Sequence, residues 1–258
     1  MSQTSLTRHA RNAVHRGLGF EDLRAALAAG WADFVAFPLF GLFFAGFYVG
    51  GGLFISLALL WWGEPGWLIP AAAGFPLLAP FVAVGLYEVS RRREAGLPME
   101  WRAVLGALRG RGDDQILAMG VILFVAFAFW LMVAHGIFAV FLSDASMGSD
   151  PTALLATPAG IAMIAVGSAV GGAMAWAFYT MTVTSLPMLV DREVDFITAV
   201  ITSVRTVRLN RAVMAAWAFG IAATLVLAIL PLFLGLLVAM PVLGHATWHL
   251  YRRLVMPL

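Results

Sequence analysis

The sequence predicts an all-α membrane protein: a polytopic bundle of six transmembrane helices, flanked by three amphipathic helices lying in the membrane interface. Three observations predict it. Of 258 residues, 62% are hydrophobic and only 12% are charged, with a mean hydropathy of +0.91; soluble domains average about 45–50% apolar and about 25% charged. The charges are gathered into short segments between long uncharged runs. All sixteen basic residues are Arg, and they fall in alternate segments. This composition excludes a disordered or nucleic-acid-binding chain. Cys is absent, which removes disulfides, Cys-ligated metals and thiol nucleophiles.

The elements follow in order. Residues 1–19 carry Arg8, Arg11 and Arg16 and are expected to form a flexible cytoplasmic N-terminus, with 20–258 a single integral membrane domain. Phe20, Leu23, Leu27, Trp31 and Phe34 recur every three or four residues among Glu21, Asp22, Arg24 and Asp33. They read as a first interfacial helix that stops at Pro38. A span needs about 20 apolar residues, and such stretches lie at about 38–62, 66–88, 116–142 and 158–190. Trp101, Val104 and Leu108 mark a second interfacial helix ending at Asp113-Asp114. Val194, Ile197, Val200 or Ile201, Val204 and Val207 mark a third, ending at Asn210.

Residues 212–246 contain one ionisable group, His245, and are too long for a single span. Cytoplasmic loops collect Arg. The Arg-bearing segments are those before the first span, between the second and third, between the fourth and fifth, and at Arg252-Arg253; the other connections carry only Glu64, Asp144 and Asp150. With Arg252 and Arg253 cytoplasmic the span count is even, so this stretch reads as a hairpin of spans 211–229 and 231–250 turning near Leu230-Pro231. One long helix kinked at Pro231, giving five spans, is the alternative. The expected location is a bacterial inner membrane with both termini cytoplasmic.

A threefold internal repeat is also expected. Each even-numbered span carries a Pro near its cytoplasmic end, at Pro80, Pro187 and Pro241. Counted from Pro80 and Pro241, Tyr87 matches Trp248, Glu88 matches His249, and Arg91-Arg92 matches Arg252-Arg253. The unit would be an interfacial helix plus a transmembrane hairpin.

Three blocks carry a resemblance: Gly85-Leu-Tyr-Glu-Val-Ser-Arg-Arg92, Asp191-Arg-Glu-Val-Asp-Phe-Ile-Thr-Ala199, and Gly244-His-Ala-Thr-Trp-His249 followed by Tyr251-Arg252. With them the chain, from about Gly19 onward, resembles a bacterial family of six-span integral membrane proteins of unknown function. Some members are labelled as a cytochrome c oxidase subunit. The resemblance implies the fold and supplies no catalytic residues.

Several side chains could carry chemistry. His245 and His249 share a helical face and form a two-ligand metal candidate, against an ordinary role as interfacial anchors beside Trp248 and Tyr251. A bis-His haem needs imidazoles on opposite sides of one iron; His135 lies roughly 20 Å from His245 in depth by helical rise, so no haem or other cofactor is expected. His135 is the one ionisable group well inside a span, a functional position by default. Glu88, Asp191, Glu193 and Asp195, with the two histidines and nearby Arg, form a cytoplasmic ring. It reads either as a gate or cation inlet or as salt bridges and helix caps.

Tyr179, Thr180, Thr182, Thr184 and Ser185 make the inner half of the fourth span polar, and Pro187 interrupts it, as in transport sites. Gly46 and Gly50, like Gly167 and Gly171 with Ser168 and Gly172 beside them, allow close helix packing. No enzyme motif occurs. The expected function is an accessory or scaffold component of a larger, respiratory-type membrane complex; the alternative is a small transporter or channel for a hydrophobic or lipid-like solute. The expected partners are anionic lipid headgroups and a membrane-protein complex.

Overall fold

The computed structural model describes residues 14–63, 83–107, 115–142 and 157–255. Among these the chain is all-helical, with a lone antiparallel bridge joining Val14 to Val255. Most of the expected span at 66–88 lies outside the described residues, as do Pro70, Pro76, Pro80, Asp113, Asp114, Asp144 and Asp150.

Helix α1 (Phe20–Ala36) is opened by Asp22, whose carboxylate accepts from the Gly19 N–H at 2.9 Å. It ends at the non-helical Phe37, and α2 (Pro38–Trp61) begins on a proline, whose missing N–H would have no intrahelical partner at that position. Then come α3 (Val84–Glu94), α4 (Trp101–Gly106) and α5 (Gln115–Leu142). The fourth expected span is divided into α6 (Pro158–Thr182) and α7 (Ser185–Asp191). Asp195 caps α8 (Phe196–Leu209), accepting from the Thr198 N–H at 2.8 Å. Helices α9 (Arg211–Ile229) and α10 (Leu236–Leu254) complete the chain.

Among the described residues, four segments are long and apolar enough to cross a membrane: Pro38–Trp61, Gln115–Phe141, Pro158–Asp191 and Arg211–Ile229. Helix α10 falls outside that set because His245, His249, Arg252 and Arg253 crowd its second half.

One end of the molecule, the base, holds most of the buried residues. There α3, α7 and α10 touch one another, while α1 lies against α10, α4 against α3 and α8 against α7. Val84–Ser90 of α3 and Ser185–Val190 of α7 are buried without interruption. Beyond the base the helices present Phe, Leu, Ile and Val outward, as lipid-facing surfaces do.

Close approach decides which faces turn inward. A Cβ on Gly30 would stand 2.5 Å from the Ala246 backbone nitrogen, so the missing side chain is what seats α1 on α10. The buried face of α1 is therefore Leu23, Ala26, Gly30, Asp33 and Phe34, and Phe20, Leu27 and Trp31 point outward. This divides the expected apolar stripe and turns Asp33, expected on a polar face, into the protein. Helix α8 departs in part: Val207 of the expected stripe is buried and Val194, Val200 and Val204 are half-buried, but Ile197 and Ile201 are exposed, and Ala199, Thr202, Ser203 and Thr206 are buried beside Val207.

Other expectations change in detail. Only Gly171 of the glycine pairs meets a neighbour, the Trp130 ring of α5, at 2.7 Å from a built Cβ. Gly46 and Gly50 face open space, because α2 turns Phe44, Ala45, Tyr48 and Val49 inward instead, and Gly167 of α6 also meets nothing. The α9–α10 connection is longer than a turn at Leu230-Pro231: Leu232 and Phe233 take left-handed φ values of 52° and 65°, and α10 starts at Leu236. Within the segment expected to be loose, His15 to Leu18 are tied down. The His15 N–H donates to the Leu254 carbonyl at 2.8 Å, and the Asn210 side chain grips the Gly17 and Leu18 N–H groups and the His15 carbonyl.

Candidate functional site

The polar groups of the base form two linked clusters. The first centres on Asp33, near the end of α1. Its carboxylate accepts from Ser90 Oγ of α3 at 2.5 Å and from His249 Nε2 of α10 at 2.8 Å, and it pairs with Arg93 of α3. Ser90 Oγ also meets His245 Nδ1 at 2.7 Å. Ser90 has one proton, and the carboxylate takes it, so His245 donates from Nδ1. Its Nε2 is then bare, and it is buried with no hydrogen-bond partner among the described residues. The i, i+4 spacing thus does bring both imidazoles to one place, where a carboxylate and a hydroxyl hold them. Among the described residues no three His, Asp or Glu side chains are set to hold a metal.

Burial acts to raise the Asp33 carboxyl, but the His249 and Ser90 hydrogen bonds and the fields of His249 and His245 outweigh it and hold the group at about 2. Asp33 is therefore a buried anion whose charge is matched from two other helices, α3 and α10.

The second cluster is ionic. Glu88 accepts a bidentate pair of bonds from Arg91 at 2.6 Å each and a longer one from Arg92. Asp191, at the end of α7, accepts from Tyr251 at 2.8 Å and Arg252 at 3.3 Å, and lies 3.4 Å from Arg192. Glu94 receives Arg252 and the Trp248 indole N–H. Glu88, Asp191 and the Arg residues of the expected ring thus meet at the base, while Asp195 serves as the α8 cap.

The hydroxyls of α6 and α7 surround a break at Val183-Thr184. Pro187 forbids an ordinary helical turn there, since its ring would strike the Val183 carbonyl. Ser203 of α8 fills the gap. Its Oγ accepts from the Thr184 N–H at 3.2 Å and donates to the Thr180 carbonyl at 2.7 Å, reconnecting the pair an unbroken helix would join directly. Thr182 and Ser185 donate back to the Phe178 and Met181 carbonyls, and Tyr179 to that of Met214. The Thr180 and Thr184 hydroxyls are buried and unpartnered among the described residues. His135 is on the exposed side of α5.

Sequence reasoning missed Asp33, Ser90 and Ser203 as central residues. Asp33 had a signal in the Ala26, Gly30, Asp33 spacing, a small-residue face with a carboxylate on it. Ser203 had none, because its partners lie on another helix.

Residues 68–191 match a family described as "Predicted integral membrane protein (DUF2189)", of unknown function. The match contains the Gly85–Arg92 block and ends on Asp191, where the second block begins; its description carries no oxidase assignment. No curated protein and no solved structure matches the chain.

Proposed function

We propose that the protein is a non-catalytic accessory component of a membrane assembly, held in a bacterial inner membrane by six crossings with both termini cytoplasmic. The Val14–Val255 bridge supports the even count, since it brings the two ends of the described chain to one face. The contacts of Ser90 and Arg93 with Asp33 support a crossing before α3: α2, with 24 residues, runs about 36 Å away from Asp33, and the chain is back beside it by Ser90. The successive seating of α1 on α10, α4 on α3 and α8 on α7 supports a repeated unit whose first helix rests on the preceding hairpin, the first unit resting on the last. The Arg-rich segments then take the cytoplasmic side.

The accessory reading rests on one observation. Helix α6 turns Gly171 inward onto Trp130 and leaves an outward ladder of Ala165, Ser168, Ala169, Gly172 and Ala175 exposed. Small residues at this spacing admit a second helix at close range, where lipid chains gain little. The Tyr179, Thr182, Ser185 and Ser203 hydroxyls beside the α6–α7 break are committed to backbone carbonyls, which favours this reading over a solute path.

The test places a photoreactive amino acid at Gly172 and, as a control, at the exposed Leu57, in native membranes. A discrete protein adduct from Gly172 alone is expected, together with a stoichiometric partner after purification in mild detergent. Absence of a Gly172 adduct, with the chain purifying as a lone monomer, overturns the reading.

A further inference from the structure

We infer that the corner where α8 meets α9 is a binding site for an anionic phospholipid. Four arginines stand on the backbone around it. Asn210, the single residue between the two helices, holds the backbone on both sides of Arg16 through His15, Gly17 and Leu18. Arg208 and Arg211 flank Asn210 in sequence, and Arg205 is one turn earlier on α8. All four are exposed, and none has a carboxylate partner among the described residues.

Among the other described arginines only Arg102, on α4, shares that lack of a carboxylate partner. Arg91 and Arg92 are paired with Glu88, Arg93 with Asp33, Arg252 with Glu94 and Asp191, and Arg253 with Asp22. Where the base uses Arg structurally it supplies an acid. At this corner it supplies none, and the unpaired guanidiniums are left for an outside anion, which they bind best in bidentate fashion.

The surface beneath the corner identifies the anion. Arg211 heads a straight exposed ladder on α9: Ala215, Phe219, Ala222 and Val226. Helix α9 is one of the four described segments apolar and long enough to cross a membrane. Exposed Ile197 and Ile201 of α8 extend the apolar surface beside it. A phosphate at the guanidiniums would therefore continue into an acyl chain lying along α9, with the small Ala residues making a shallow groove past the Phe219 ring. Free phosphate satisfies only the upper half of this surface, and an acidic protein segment would leave the apolar ladder uncovered. The site matches the known pattern in which basic pockets at helix ends take anionic headgroups.

The test uses the full-length chain in mild detergent, with native mass spectrometry of added dioleoylphosphatidylglycerol or dioleoylphosphatidylcholine. The wild type is expected to retain the anionic lipid preferentially. Arg208→Gln with Arg211→Gln should weaken that retention about tenfold or more, whereas Arg24→Gln with Arg102→Gln, an equal loss of charge elsewhere, should leave it unchanged. Arg208→Lys with Arg211→Lys should restore most of it. Thermal unfolding of each variant checks that it is folded. Equal weakening in both Gln pairs, no preference for the anionic lipid, or release of bound lipid by millimolar inorganic phosphate overturns the assignment.

Discussion

Asp33 is the only described carboxylate that gathers partners from two other helices while itself almost fully buried: its side chain is 4% exposed and it joins Ser90, Arg93, His245 and His249. Removing one member of a buried charged set leaves the others uncompensated, at about 3–5 kcal/mol. Arg93 is 39% exposed and can turn to water, so Asp33→Ala should destabilise by the lower figure, about 3 kcal/mol, measured by denaturant unfolding in detergent. The pH response has a definite sign. The folded carboxyl titrates at about 2, below its ordinary value of 3.8, so its contribution is complete above that ordinary value and is lost as pH falls toward 2. Melting temperature should therefore drop between about pH 4 and pH 2 in the wild type, and Asp33→Asn should show a shallower drop. An identical acid profile for the two proteins would remove this role from Asp33.

The α6–α7 break is a small machine of two parts, a proline that forbids the turn and a serine that mends it. Ser203→Ala strands the Thr184 N–H and the Thr180 carbonyl in a buried place, which should cost about 2 kcal/mol. With Pro187→Ala the helix is free to close its own ladder, so Ser203→Ala should cost distinctly less in that background. A double-mutant cycle reads the difference; strict additivity would mean that the hydroxyl does not replace the lost helical bond. This element also shows how far a sequence can be read. Pro187, the polar run before it and the Asn210 corner were all visible, because each acts on its own neighbours. The identity of the mending residue was not, because Ser203 is 23 residues from Thr180 and looks like any hydroxyl on an amphipathic helix. The face that α1 buries escaped for a related reason: apolar spacing pointed to Phe20, Leu27 and Trp31, and a backbone contact at Gly30 overruled it.

For the molecule as a whole, the membrane class and four of the long apolar helices were legible from composition and charge spacing, because a bilayer imposes length and hydropathy directly on the chain. The way the ends meet was not, since nothing local in residues 14–18 announces Leu254 or Asn210 as partners. The closure is directly testable. Bridged antiparallel residues have Cα atoms about 4.5–5.5 Å apart, within reach of a disulfide, and the chain has no Cys of its own. Val14→Cys with Val255→Cys should form an intramolecular bond on mild oxidation, seen as faster migration without reductant; either single variant should not. Synthesis order gives the same closure a further meaning. Asp33 leaves the ribosome early, and His249 follows 216 residues later. At roughly 5–20 residues per second, the carboxylate waits on the order of tens of seconds for its imidazole. Until then α1 lacks its seat on α10, and Asp33 has Ser90 and Arg93 of α3 but neither imidazole, so its set of partners closes only with the last helix.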